Sequence, residues 1–592
     1  MNKVIGQLEA TKEKDIVEKF WLPLSIVSIT LVIFAITSIR YMSFLGLNWD
    51  LGINMQMLWT NQHGYLLFET ADHMTSGVLS FLQVNSVYIA IPLSYIYSIL
   101  PEPFFLLFFQ AVIISASAVP LFYYSNLKFY NHKISLLITV LFISNFAVLS
   151  GVFYDFHWES ILPLEFFTFI YLYSKGKYWL SLILVIIGSM TLEVFPFLVA
   201  SYLIYPLIFP ADNHSIPADE VLTHSNRLRA VSFAIILLTG MTYYLFAYIG
   251  GAVIPSLVGA EGSTSTGSAI HAVSYLFNVG INPGSLLNSL EYWVLLFSSL
   301  GFLSLYKIKS AIVLIPWVYW SVFAYPLYTA QFGLQYGIIA LLLLMVPTVN
   351  SLSKIKFEHL SGKETKIWPF IIGPIAIIAI SMAFFTTGVF TNHSNLMLLT
   401  TLLTISGVIT LLCLIGKPIS KRLGTLRVSR FDLNQKISIL LFFMIIVGLL
   451  LGPINPVNTS PPYTGGYAVS FSPSPSYGYM SQVEEMVGHN NTVISTDNLF
   501  PFVANNPYAY SFYWYLTNYS ANKYFPYSQY NLPKFLLLDT SEMFTVPSNF
   551  KVDAFSSNLY GLREEIVNSN YPGDIYLFEL GYHSKPIIYI TK

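Results

Sequence analysis

The chain has 592 residues, 55% of them hydrophobic and only 10% charged, against about 25% charged in soluble globular chains, which excludes an ordinary water-soluble protein. A formal net charge of −1 gives no reason to expect nucleic acid or an acidic partner. The single cysteine, Cys413, lies in an apolar run, which excludes a disulfide framework or a cysteine-based metal site.

Residues 1–21 are polar and mixed in charge, with Lys3, Lys12, Lys14 and Lys19 beside Glu9, Glu13, Asp15 and Glu18. They read as a cytoplasmic tail before a spanning helix, not a cleavable signal peptide. Apolar runs near twenty residues then recur through residues 22–453, and about 20 such residues cross a bilayer as a helix. The runs predict about 13 spans, at 22–42, 103–124, 134–152, 160–174, 178–192, 194–210, 230–250, 286–306, 311–329, 331–350, 367–387, 394–415 and 437–453.

One further apolar stretch, 78–100, decides the topology. Lys and Arg concentrate on the cytoplasmic side of membrane proteins. If 78–100 does not cross, the tail and inner loops hold 22 Lys and Arg, and before residue 454 the outer side holds only Arg40. If it crosses, 18 of those charges move outside. The first arrangement places the N-terminus in the cytoplasm and makes 43–102 a long outer loop, with 78–100 as its horizontal or re-entrant element. The segments 160–174 and 178–192 are short for spans and fit tilted helices in thinned lipid.

After Gly452 the texture turns to Pro, Gly, Ser, Asn and Tyr. Residues 454–592 read as one extracytoplasmic domain of small α/β type, opened by a Pro- and Ser-rich linker at 454–475. A helix is expected at Tyr479–Gly488, strands at 492–496, 534–539, 575–579 and 586–591, and a helical segment near 555–568. Sequons at Asn392, Asn458, Asn490 and Asn518 agree with an outside location. The aromatic run at 511–519 suits either a contact surface or the domain core.

This topology gathers ionisable residues on the outer face, where such groups at membrane depth cost several kcal/mol unless paired or hydrated. Asp50 opens a periodic run and is placed to cap a helix N-terminus, a role that does not exclude acting as a base, since a capping carboxylate can still face a cavity. Asp72-His73 and Asp155-Phe156-His157-Trp158-Glu159 supply oxygen and imidazole ligands suited to a divalent cation such as Mg or Mn. Glu193 marks a break between two apolar halves and reads as a site carboxylate or a helix cap. A phosphate brought to this face needs Arg40, a His, a helix N-terminus or a bound metal.

Four segments together resemble a family of uncharacterised polytopic membrane proteins found in archaea and bacteria. They are WDLGINMQMLW at 49–59, ADHMTSGVLSFL at 71–82, PLSYIYSILPEPFFLLFFQA at 92–111 and DFHWE at 155–159. Glu193 fits the Glu of a Lys-Glu-Asp break, with Leu192 and Val194 in place of the flanking charges. Gln335 and Phe502 stand where the family often shows His. The family is similar in layout to GT-C glycosyltransferases. That resemblance implies Asp50 as general base and Asp155, with His157 or Glu159, as second-site acid or metal ligand. It also implies a polyprenyl-phosphate-linked sugar and a glycan or protein acceptor as partners, besides membrane lipids. A non-catalytic envelope scaffold and a transporter or lipid-handling protein are the alternatives. The low charge and the many Tyr and Asn point to an archaeal plasma membrane.

Overall fold

A computed structural model describes residues 16–44, 49–210, 221–258, 283–323, 334–360, 371–379, 394–415, 432–453, 472–511, 532–540, 560–568 and 574–591. The tail before residue 16, the linker at 454–471, the aromatic run from 512 to 519 and the sequons at Asn392, Asn458 and Asn518 lie outside them.

The described chain is mostly helical. Five helices are long and apolar enough to cross a membrane: Val17–Met42, Pro103–Phe129, Ser225–Leu257, Tyr336–Leu360 and Leu433–Leu451. A sixth candidate is the pair His132–Ile143 and Phe146–Tyr154, bent by 44° at the join. The bend has a polar cause. Asn145 accepts the Ala147 N–H at 3.0 Å and donates to Ser299 Oγ at 2.9 Å, so the freed backbone and the amide are both satisfied. Tyr336–Leu360 is the axis of the bundle, since 89% of its apolar window is buried by protein. The expected spans at 160–174, 178–192 and 194–210 are helices of 13, 14 and 15 residues, short of the roughly 20 that a level crossing needs.

Residues 78–100 contain no helix of spanning length. They fold as a 3₁₀ turn, Phe81–Gln83, and one eight-residue helix, Ala90–Tyr97. Eight residues rise about 12 Å, well under the roughly 30 Å of a hydrocarbon core. Ser80 and Gln83 close a capping box around the 3₁₀ turn.

The C-terminal region is a six-stranded mixed sheet: β1 (Val493–Ser495), β2 (Ala509–Ser511), β3 (Phe535–Asp539), β4 (Tyr560–Asn568), β5 (Ile575–Leu580) and β6 (Ile587–Thr591). Its order is β2-β1-β3-β5-β4-β6. β1 runs parallel to β2 and β3, β5 antiparallel to β3 and β4, and β6 parallel to β4. The helix expected at 479–488 is Met480–Val487. The helical segment expected near 555–568 is instead strand β4 over its described part. Its neighbours decide this, because β4 is the rung between β5 and β6 and local propensity yields to that pairing. β2, only three residues long, had no signal of its own.

The sheet is seated on the membrane part by specific contacts. Ser43 Oγ donates to the Ser472 carbonyl at 2.8 Å, and the Ser474 N–H to the Met42 carbonyl at 3.0 Å. Tyr41 stacks on Phe502 with ring centres 5.2 Å apart. Gln56 Nε2 donates to the Asn506 and Ala509 carbonyls at 2.7 and 3.1 Å, while its Oε1 accepts the Thr70 N–H at 2.9 Å. One buried side chain thereby ties two loop helices to the edge strand of the sheet.

Candidate functional site

The helix Trp49–Gln62 carries Asp50 in its first turn. The Asp155 carboxyl comes near the N–H groups of Asp50 and Leu51. That is the positive end of the helix dipole. Asp155 ends the helix Phe146–Tyr154 in an extended conformation, and its Oδ1 accepts the Phe156 N–H at 2.8 Å. The buried Arg40 guanidinium lies near the same carboxyl. Burial nevertheless pushes Asp155 up to about 7, because desolvation outweighs these favourable partners.

His157 comes next along the extended segment. Its ring lies parallel to that of Tyr154, 5.2 Å between centres, and its Nε2 is 3.7 Å from Asp50 Oδ2. Burial pushes the imidazole down to about 3, so it is neutral at physiological pH. Asp50 moves the other way. Burial first, then the carboxylates of Asp155, Glu159, Asp72 and Asp497, hold it well above the ordinary carboxylate range. Its side chain keeps 28% of its surface, against 6% for His157, so Asp50 is the member of the pair that solvent or a substrate can reach.

Two amides absent from the sequence argument hold this arrangement. Gln110 accepts the His157 N–H at 2.9 Å and the Ser160 hydroxyl at 3.0 Å, and donates to the Val152 and Asp155 carbonyls at 2.9 and 3.1 Å. Asn54 accepts Trp158 Nε1–H at 2.6 Å and donates to the Asp50 carbonyl at 2.7 Å. A buried amide inside an apolar run was the available signal for both. Gln110→Leu is expected to strand four buried backbone and side-chain groups and to cost about 3 kcal/mol or more. Thermal unfolding in detergent checks this, and an unchanged midpoint would contradict it.

The remaining expected residues divide. Glu159 is hydrogen-bonded to Gln335, and burial with nearby Glu193 pushes it up to about 7. Glu193 makes no side-chain cap bond to its own helix. Its Oε2 instead accepts the Ser86 N–H at 2.9 Å, which pins the break at 193 to the stretch 78–100. Asp72 belongs to the short helix Thr70–Ser76, whose cap is Glu69. It adds its charge to the surroundings of Asp50, and His73 Nδ1 bonds the Val78 carbonyl at 2.9 Å.

Asp155, His157 and Glu159 take three different partners, the Phe156 N–H, Asp50 and Gln335. Among the described residues no group of three or more His, Cys, Asp or Glu is placed to hold a metal ion.

The sheet domain contributes a carboxylate that sequence reasoning missed. Asp497 opens the 3₁₀ helix Asp497–Phe502 just past the carboxyl end of β1, and it accepts from the Ser511 hydroxyl. Residues i and i+3 eclipse in such a helix, so Asp497 shares a face with Phe500. Phe500 packs on Gly52, where a Cβ would lie 2.4 Å from its ring. Gly52 is thus the residue that lets the domain close over the first turn of the Asp50 helix. The signal was a strand ending in Thr-Asp-Asn, since ligand sites gather at the carboxyl ends of parallel strands.

Residues 40–412 match the family described as "Predicted membrane protein (DUF2079)". The chain belongs to that family. The match opens at Arg40, spans Asp50, Asp72, Asp155, His157, Glu159 and Glu193, and stops before the sheet domain. Gln335, where His was the expected family residue, is the partner of Glu159. No curated protein matches the chain.

Proposed function

We propose that the chain is a GT-C-type glycosyltransferase that moves a sugar from a polyprenyl phosphate to a glycan or protein acceptor outside the plasma membrane. About 13 crossings, a cytoplasmic N-terminus and an extracytoplasmic C-terminal domain belong to this reading. They are supported by the placement of 22 of the 29 Lys and Arg in the N-terminal tail and the loops assigned to the inner side.

The observation that carries the reading is the part-exposed Asp50 carboxyl facing a neutral imidazole, with Arg40 and Asp155 behind it. A carboxylate whose affinity for protons is raised above the ordinary range is suited to accept one from an acceptor hydroxyl. As that proton passes to Asp50, the acceptor oxygen bonds to the anomeric carbon. The bond from that carbon to the phosphate oxygen breaks, and the polyprenyl phosphate leaves with its electron pair. Arg40 and the N-terminus of the Asp50 helix are the positive groups at hand for the departing phosphate. Asp155 positions both.

A second reading, a non-catalytic scaffold, is favoured by the close seating of Phe500 on Gly52 and of Ala509 on Gln56 and Thr70. One experiment separates the two. Purified, reconstituted protein is given radiolabelled polyprenyl-phosphate-linked glucose, mannose or galactose with an oligosaccharide acceptor. Transfer of label to the acceptor from one of these donors is expected. Retention of all label on lipid would leave the scaffold.

A further inference from the structure

The far end of the helix bundle carries a second polar cluster. Pro103–Phe129 begins beside the Asp50 site and runs 27 residues, about 40 Å at helical rise, so Lys128 in its last turn lies at the opposite end. Tyr336–Leu360 likewise starts next to Gln335 and carries Lys354 and Lys356 toward its far end. Lys307 caps the 3₁₀ helix Ile308–Leu314, which follows the turn Leu303–Leu305 and carries Lys309.

Hydrogen bonds draw these three elements together. The Lys307 N–H donates to Ser351 Oγ at 2.9 Å, Ser353 Oγ donates to the Lys128 carbonyl at 3.2 Å, and Lys356 Nζ donates to the Phe129 carbonyl. The ammonium groups are held over aromatic rings: Lys128 over Tyr124 at 5.9 Å, Lys307 over Tyr205 at 5.5 Å, Lys309 over Phe209 at 5.3 Å and Lys354 over Tyr306 at 5.1 Å. Glu358 is a carboxylate among them, 3.9 Å from Lys354 and accepting from the Tyr306 hydroxyl.

Lys128 and Lys307 come near enough to repel each other, and Lys128 is half-buried. Like charges from separate elements, drawn together at one end of the bundle beside aromatic rings, are an arrangement of the kind that takes lipid head groups. The aromatic rings hold the lysine stems in place.

We infer that this lysine cluster binds the phosphate head group of an anionic membrane lipid, with Lys128 and Lys307 as its principal contacts. The inference is independent of the proposed transfer reaction and of any residue in the Asp50 cluster. It is tested by native mass spectrometry of the full chain in detergent, with phosphatidylglycerol and phosphatidylcholine supplied in equal amounts. The wild-type chain is expected to retain phosphatidylglycerol in preference. Lys128→Gln/Lys307→Gln is expected to weaken that retention roughly thirtyfold, at about one lysine's surface contribution each. Lys128→Arg/Lys307→Arg should keep it, as should the sheet-domain control Lys534→Gln/Lys585→Gln. Where the double Gln chain does not fold, the exposed Lys309→Gln should still lower retention severalfold. Equal retention of the two lipids, or unchanged retention in the Gln variants, would overturn the inference. So would complete displacement of the lipid by millimolar inorganic phosphate, which would mark a site for a soluble anion.

Discussion

Asp50→Asn is expected to lower sugar transfer by about a hundredfold to ten-thousandfold, the usual contribution of a positioned acid or base, while the protein inserts and elutes as wild type does. Asn preserves the side-chain size and the helix, so only proton acceptance is lost. The wild-type rate should rise with pH on a limb that lies above the ordinary carboxylate range, because burial and the surrounding carboxylates hold Asp50 well above that range. The residual rate of the Asn chain should lack that limb. Stability should move in the opposite sense. A carboxyl whose folded pKa is raised binds its proton more tightly folded than unfolded, so it costs stability as pH rises from about 4 toward the folded value. Asp50→Asn should therefore be at least as heat-stable as wild type at pH 8. Loss of transfer with retained or increased stability separates catalysis from damage. Transfer unchanged in Asp50→Asn would remove Asp50 from the mechanism.

Gly52→Val is expected to free the sheet domain from the membrane part. A Cβ at Gly52 meets the Phe500 ring at 2.4 Å, and Phe500 is fully buried, so neither side can yield cheaply. Overpacking of this kind costs about 1 to 3 kcal/mol, and the branched side chain sits at the upper end. Limited proteolysis should release a C-terminal fragment much faster than from wild type. Transfer should fall as well, because the same contact brings Asp497 to the Asp50 helix. Gly478→Ala, where an added Cβ meets nothing within 4 Å, is the matched control and should behave as wild type. Equal fragment release from the Gly52 and Gly478 variants would contradict this account of the interface.

Much of the candidate site was legible because membrane chemistry makes charge conspicuous. In a chain with 10% charged residues, Arg40, Asp50, Asp155, His157, Glu159 and Glu193 stood out against apolar runs. The structure sets the first four side by side. Their roles were less legible, since roles follow from which backbone groups arrive nearby. The Asp155 carboxyl, from a distant segment, comes near the N-terminus of the Asp50 helix, and Glu193 reaches Ser86 instead of its own helix. His73 was chosen for its neighbour Asp72, yet its ring serves a local turn. Gln110 and Asn54 escaped because a neutral amide in an apolar run carries no charge signal, although it can satisfy several buried groups at once. Asp497 was hidden by distance in sequence, since only the seating of Phe500 on Gly52 brings it to the first loop. In the sheet domain, alternation and β-branched residues located most strands. β4 was read as a helix because its pairing with β5 and β6 is nonlocal.

The central claim is that a lipid-linked sugar reacts beside Asp50. Its most direct test is a structure of the full chain with a polyprenyl phosphonate hexose that cannot release its sugar. The account predicts the anomeric carbon within reach of the Asp50 carboxyl and the phosphonate on the Arg40 side, beneath Asp497. A ligand bound elsewhere, with the contacts among Asp50, His157 and the sheet domain closed and unchanged, would contradict it.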